Sequence, residues 1–239
     1  MPYLMGGYPD VDTSRDAALA AAEAGADVLE LGVPFSDPLA DGPVIHAAAT
    51  AALSNGVRLD DVLGVCRAVA DALPVVLMVY ANPVLARGYS EFATTAADAG
   101  AAGIIVPDLP HDEADELRAA CDAAGIALVP LVAPTSTDER IAEVGRDARG
   151  FVYTVSTTGT TGERALLPPE IGRTVERVRA STSLPVAVGF GISTPEQAAE
   201  VGEIADGVIV GSRVVRAAGE GGAEAVGDLV RSLAAALAR

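Results

Sequence analysis

The sequence predicts an α/β fold: a single (β/α)8 TIM barrel, in which eight parallel strands close on themselves inside a ring of helices. Two observations carry this. Short apolar runs rich in β-branched residues alternate with Ala-rich amphipathic segments along the whole length. The chain has 239 residues, close to the roughly 250 that such a barrel takes. No linker or low-complexity segment interrupts the alternation, so residues 1–239 read as one domain.

In order, strands are expected over residues 3–6, 27–33, 75–80, 103–106, 127–132, 151–155, 186–189 and 207–210. Helices are expected over 13–24, 44–53, 59–72, 90–99, 113–124, 138–145, 169–180, 195–201 and 223–237. Gly25, Gly100 and Gly125 each follow an Ala-rich segment, where a left-handed helix end favours glycine. Ser90 and the run Ser193-Thr194-Pro195-Glu196 supply N-cap candidates, the second with a proline at the first helical position.

Composition excludes several function classes. The formal net charge is −17, which argues against nucleic acid or an anionic membrane as partner. All 16 basic residues are arginines, and a Schiff-base aldolase needs a lysine amine. His46 and His111 are the only imidazoles, too few for the usual catalytic zinc site, so no metal is expected. Cys66 and Cys121 lie far apart in helix-like segments and read as reduced, buried thiols. No apolar run approaches the roughly 18 residues that span a bilayer, and no signal-peptide pattern opens the sequence. A cytoplasmic location is the expectation.

The second strand candidate carries an acid in an apolar run, Asp27-Val28-Leu29-Glu30-Leu31-Gly32-Val33. Burying an ionised carboxylate is costly, so Glu30 either becomes neutral or sits at the carboxyl end of the strand beside ligand. A Gly/Pro-rich loop then delivers Asp37 and Asp41. Three carboxylates at one strand mouth suggest proton transfer. Asp37, before Pro38, reads as a turn former, and His46 and His111 read as structural. Barrel chemistry sits in the loops after the strands. The loop after strand six, residues 156–164, is long, polar and Gly-rich, and Gly189-Phe190-Gly191 and Gly211-Ser212-Arg213 follow strands seven and eight. Glycines there let main-chain N–H groups approach an anion at a helix N-terminus, the recurrent barrel phosphate site.

With these residues assembled, the chain resembles the α subunit of tryptophan synthase over nearly its whole length. The most specific stretch runs from Leu29 to Pro43, LELGVPFSDPLADGP. Supporting it are Tyr80-Ala81-Asn82-Pro83, Val106-Pro107-Asp108-Leu109-Pro110, Tyr153 with Gly159 to Gly162, Gly189-Phe190-Gly191-Ile192 and Gly211-Ser212. The resemblance implies a lyase that splits indole-3-glycerol phosphate into indole and glyceraldehyde 3-phosphate by a retro-aldol reaction in tryptophan biosynthesis. It implies Glu30 as the proton-transferring acid/base, Asp41 as the carboxylate facing the indole N–H and Tyr153 as an active-site tyrosine. It gives Gly162, Gly191, Gly211 and Ser212 as phosphate-binding positions. It further implies no cofactor in this chain and a β-subunit partner carrying pyridoxal phosphate, in a heterotetramer of two α and two β chains.

Two departures are visible. The family carries a helix before the first strand, whereas this sequence begins at the strand, so a less covered barrel floor or an upstream start is expected. Thr160 stands in the sixth loop where a small apolar residue would be expected. The alternatives to this enzyme are another phosphate-binding barrel that works alone and a barrel that only activates a partner.

Overall fold

In the computed structural model, residues 1–155, 170–189 and 191–238 are described. The first five strands are β1 (Tyr3–Met5), β2 (Leu29–Gly32), β3 (Val75–Met78), β4 (Ala101–Ile105) and β5 (Ala127–Leu128). They pair in parallel in that order. A second parallel run follows, made of β6 (Leu131–Val132), β7 (Val152–Val155), β8 (Val186–Gly189) and β9 (Gly207–Val208).

The single fifth strand expected over 127–132 is thus two short pieces, β5 pairing with β4 and β6 with β7. Two backbone bonds bridge the join: Val129 N–H to the Ile104 carbonyl at 2.9 Å, and Tyr153 N–H to the Pro130 carbonyl at 3.0 Å. Pro130 has no N–H to add to a ladder there. The ring closes where Tyr3 N–H donates to the Val210 carbonyl at 2.9 Å and Val210 N–H to the Met1 carbonyl at 3.1 Å. Nine short strands therefore make eight staves among the described residues.

Side-chain alternation divides the core in two. Leu29, Leu31, Val75, Leu77, Ile104, Val152, Val186 and Val188 face the helices and form the larger cluster. Val76, Ile105, Val129, Tyr153, Ala187 and Ile209 fill the barrel interior. Glu30 lies between Leu29 and Leu31, in register with Tyr3 and Val76, so it points inward.

The helices are α1 (Val11–Glu23), α2 (Pro43–Ser54), α3 (Leu59–Val69), α4 (Ala81–Arg87), α5 (Tyr89–Asp98), α6 (Asp115–Ala124), α7 (Asp138–Asp147), α8 (Glu170–Arg179), α9 (Pro195–Gly202) and α10 (Ser212–Leu237). Thr194 caps α9 in a capping box with Gln197, as the sequence suggests.

Three expectations are corrected. Ser90 caps nothing, because α5 already starts at Tyr89 and Gly88, at φ 90°, ends α4 and opens α5. Residues 81–87, expected as loop, form α4; Pro83 is tolerated in a first turn, and Asp108, from the loop after β4, accepts the Ala81 N–H at 2.8 Å. The helix expected over 223–237 is present, but a further helical segment that starts at Ser212 precedes it, joined across a break at Gly222, at φ 59°. The glycines near residue 220 obscure it, since each costs a helix about 1 kcal/mol. Gly219 is explained by packing: a Cβ there would come within 2.4 Å of the Tyr8 hydroxyl.

Candidate active site

The β2 strand sets the depth of the key acid. Glu30 is the second of four strand residues, deeper than the carboxyl-end position expected from the sequence, and is 1 % exposed. Its Oε1 has no hydrogen-bond partner among the described residues. Burial pushes its pKa up to about 8; the positive charge of the amino terminus opposes this and the negative charge of Asp41 adds to it. The group is therefore a neutral acid near pH 7 that ionises at small cost, as an acid/base requires.

Asp41 arrives on the loop between β2 and α2, and that loop is pinned from Tyr80, the residue that opens α4. The Tyr80 hydroxyl donates to Asp41 Oδ1 at 2.9 Å and accepts the Ala40 N–H at 3.0 Å. The Tyr80 ring stacks on Phe35, with centroids 5.3 Å apart. Burial raises the Asp41 pKa, while the Tyr80 hydrogen bond and the charge of His46 pull it down. Tyr80 joins residues 39 apart in sequence, and no local pattern announces that bond.

Tyr153 is buried on β7, and its hydroxyl leans against Gly189. A Cβ on Gly189 would lie 2.3 Å from that oxygen, so glycine at the end of β8 makes room for Tyr153. Burial, and then the charge of Glu30, hold the Tyr153 hydroxyl well above its ordinary pKa.

Across the rim, Gly211 precedes α10 and Ser212 is its first residue, 7 % exposed. The N–H groups of Val214 and Val215 bond to the Gly211 carbonyl at 2.8 and 3.1 Å. Those of Ser212 and Arg213 are unused within the helix and aim at its N-terminal end, where the helix dipole favours an anion. Gly191, at φ 88°, sits beside them in the turn before α9.

Glu30, Asp41, Tyr153, Gly191, Gly211 and Ser212 thus line one cavity, with Tyr3 as a further polar side chain. Ile45, Met78, Leu131, Ile192 and Ile209 form its apolar wall. Gly162, Phe190, Thr160 and the rest of the sixth loop's 156–164 stretch lie outside the described residues. Asp37 is exposed and accepts a hydrogen bond from Ser36 Oγ at 2.8 Å, away from the cavity. His111 faces Asp147 at 3.2 Å, also away from it. No group of three or more metal-ligating side chains occurs among the described residues.

Comparison with known proteins follows the same lines. Residues 1–236 match the family model described as tryptophan synthase alpha chain. The tryptophan synthase alpha chain of Synechococcus elongatus is 49 % identical over 242 residues, covering 100 % of this chain and 91 % of that protein. That of Roseiflexus castenholzii is 50 % identical over 218 residues, covering 90 % and 84 %. A solved structure of Mycobacterium tuberculosis tryptophan synthase superposes with a TM-score of 0.92 at 46 % identity, over 99 % of this chain and 91 % of that one. With the family model matched over nearly the whole length and relatives near 50 % identity, the chain belongs to the tryptophan synthase alpha chain family.

Proposed function

We propose that the chain performs the lyase reaction of its family through Glu30 and Asp41. The reaction cleaves indole-3-glycerol phosphate to indole and glyceraldehyde 3-phosphate in tryptophan biosynthesis. The observation that carries the assignment of roles is a buried carboxyl, Glu30, with one oxygen unpartnered among the described residues, in a cavity that also holds Asp41 and the start of α10.

The retro-aldol step needs three things. The indole carbon bearing the side chain takes a proton, the neighbouring hydroxyl gives one up, and the bond between the two carbons breaks. The electron pair of that bond is left on the indole ring, and the released carbon becomes the aldehyde. Glu30, poised near neutral pH, delivers and recovers protons. Asp41, held by Tyr80, stabilises the positive charge that builds on the ring N–H when the ring is protonated. Tyr153 orients the substrate hydroxyl beside Glu30. The main-chain amides at Gly191, Gly211 and Ser212 hold the phosphate, with Gly162 as a further contact, and the lack of lysine agrees with main-chain holding. The apolar wall receives the indole ring.

The same reading takes residues 1–239 as one domain. It requires no cofactor in this chain and places pyridoxal phosphate in a β-subunit partner, within a heterotetramer of two α and two β chains. Leu39, 80 % exposed on the loop that carries Asp41, and Leu85, 54 % exposed on α4, are apolar side chains that such a partner would cover. No helix among the described residues is long and apolar enough to cross a membrane, which is compatible with the cytoplasm.

The test is an assay of indole release from indole-3-glycerol phosphate by the purified chain, alone and with a tryptophan synthase β chain. Slow release alone and faster release with the partner are expected. Absence of release in both conditions refutes the lyase. A partner stimulated equally by a chain without lyase activity would reveal an activating subunit instead.

A further inference from the structure

Tyr3 lines the cavity but takes no part in the proton transfers given to Glu30 and Asp41. Its place is specific. On one side β1 is in register with β2, and Tyr3 pairs with Glu30. On the other, Tyr3 N–H donates to the Val210 carbonyl at 2.9 Å, and a Cβ on Gly211 would lie 3.9 Å from that of Tyr3. Tyr3 therefore stands between the proton-transferring acid and the turn that opens α10.

Its ring leans toward the catalytic mouth. The hydroxyl oxygen lies 2.0 Å from where a Cβ on Gly32 would be, so only glycine at the end of β2 admits it. The residue is 4 % exposed, and its hydroxyl makes no hydrogen bond to any described residue. That hydroxyl faces the cavity, where a ligand can bond to it. Phenylalanine would fill the same space but offer a ligand no such bond.

We propose that the Tyr3 hydroxyl is a substrate contact, bonding to the hydroxyl-bearing three-carbon segment that joins the ring to the phosphate and selecting ligands that carry hydroxyl groups there. The geometry leaves that segment little choice. With the phosphate at Gly211 and Ser212 and the breaking bond at Glu30, the carbons between them cross β1 where Tyr3 stands. The inference rests on the reaction and phosphate site proposed above.

Two ligands separate this contact from simple packing. One is indole-3-glycerol phosphate; the other is its deoxy analogue, 3-(indol-3-yl)propyl phosphate, which keeps ring and phosphate but lacks both hydroxyls. In Tyr3→Phe, kcat/KM for cleavage should fall about fivefold to tenfold, the loss expected for one neutral hydrogen bond. The inhibition constant of the analogue should change by less than about twofold, because that ligand has no hydroxyl to lose a bond to. An unchanged kcat/KM, or equal weakening of both ligands, overturns the proposal and leaves Tyr3 a packing residue. A wild-type chain that binds the analogue yet cleaves nothing overturns the reaction itself, and the Tyr3 contact with it. A wild-type chain that cleaves, beside a Tyr3→Phe variant with unaltered selectivity, overturns the Tyr3 contact alone.

Discussion

Glu30→Gln is expected to abolish nearly all turnover, lowering kcat for indole release by about 10³-fold, within the range removed with a general acid/base. The amide keeps the shape and neutrality of the protonated acid but cannot pass a proton on. Binding of the deoxy propyl phosphate analogue therefore stays close to wild type, which parallel inhibition or calorimetric measurements check. Near-normal turnover in Glu30→Gln would mean that another group moves the proton. A linked effect appears in stability. The Glu30 pKa is raised on folding from an ordinary 4.5 to about 8, so the folded state binds the proton more tightly than the unfolded one. Its contribution is fully present below pH 4.5 and is lost progressively as pH rises towards 8. Glu30→Gln, which has no proton to lose, should be spared that decline, so its melting temperature gains on the wild type between those limits.

Asp41→Asn is expected to lower kcat/KM by about 10²-fold, the scale of removing one preorganised electrostatic partner of a developing charge. The substitution is conservative in shape. The amide oxygen still accepts the Tyr80 hydroxyl that now holds Asp41 Oδ1 at 2.9 Å, so the loop anchored by Tyr80 and Phe35 keeps its place. What disappears is the negative charge opposite the ring N–H. Steady-state kinetics should show the loss mainly in kcat, because the charge on the ring develops only as the ring is protonated. A loss confined to KM would instead make Asp41 a ground-state binding residue.

How far the sequence discloses this site depends on the range of the interactions involved. Glu30 is legible because a carboxylate within an apolar run is expensive and demands a reason. Gly211 and Ser212 are legible because strand, glycine and helix start are adjacent in sequence. Alternation of apolar runs and helices gives the barrel, since β2, β3 and β8 alternate cleanly between helix-facing and interior positions.

The remainder depends on contacts between distant segments. Tyr80 reaches Asp41 across 39 residues, and Asp108 satisfies the N-terminus of α4 across 27. That Gly189 leaves space for Tyr153 shows only once β7 and β8 are side by side. The same holds for Gly32 and Tyr3. The glycines within α10 suppress the helix signal locally, while packing against Tyr8 makes one of them necessary.

Everything proposed for the site turns on Glu30 being a neutral, buried acid at working pH, facing the cavity. Isotope-edited infrared titration of its carboxyl, with Glu30→Gln to assign the band, tests this most directly. A protonated carbonyl stretch should persist through pH 7 and disappear with a midpoint near 8. A carboxylate already ionised at pH 6, titrating near the ordinary 4.5, would contradict it.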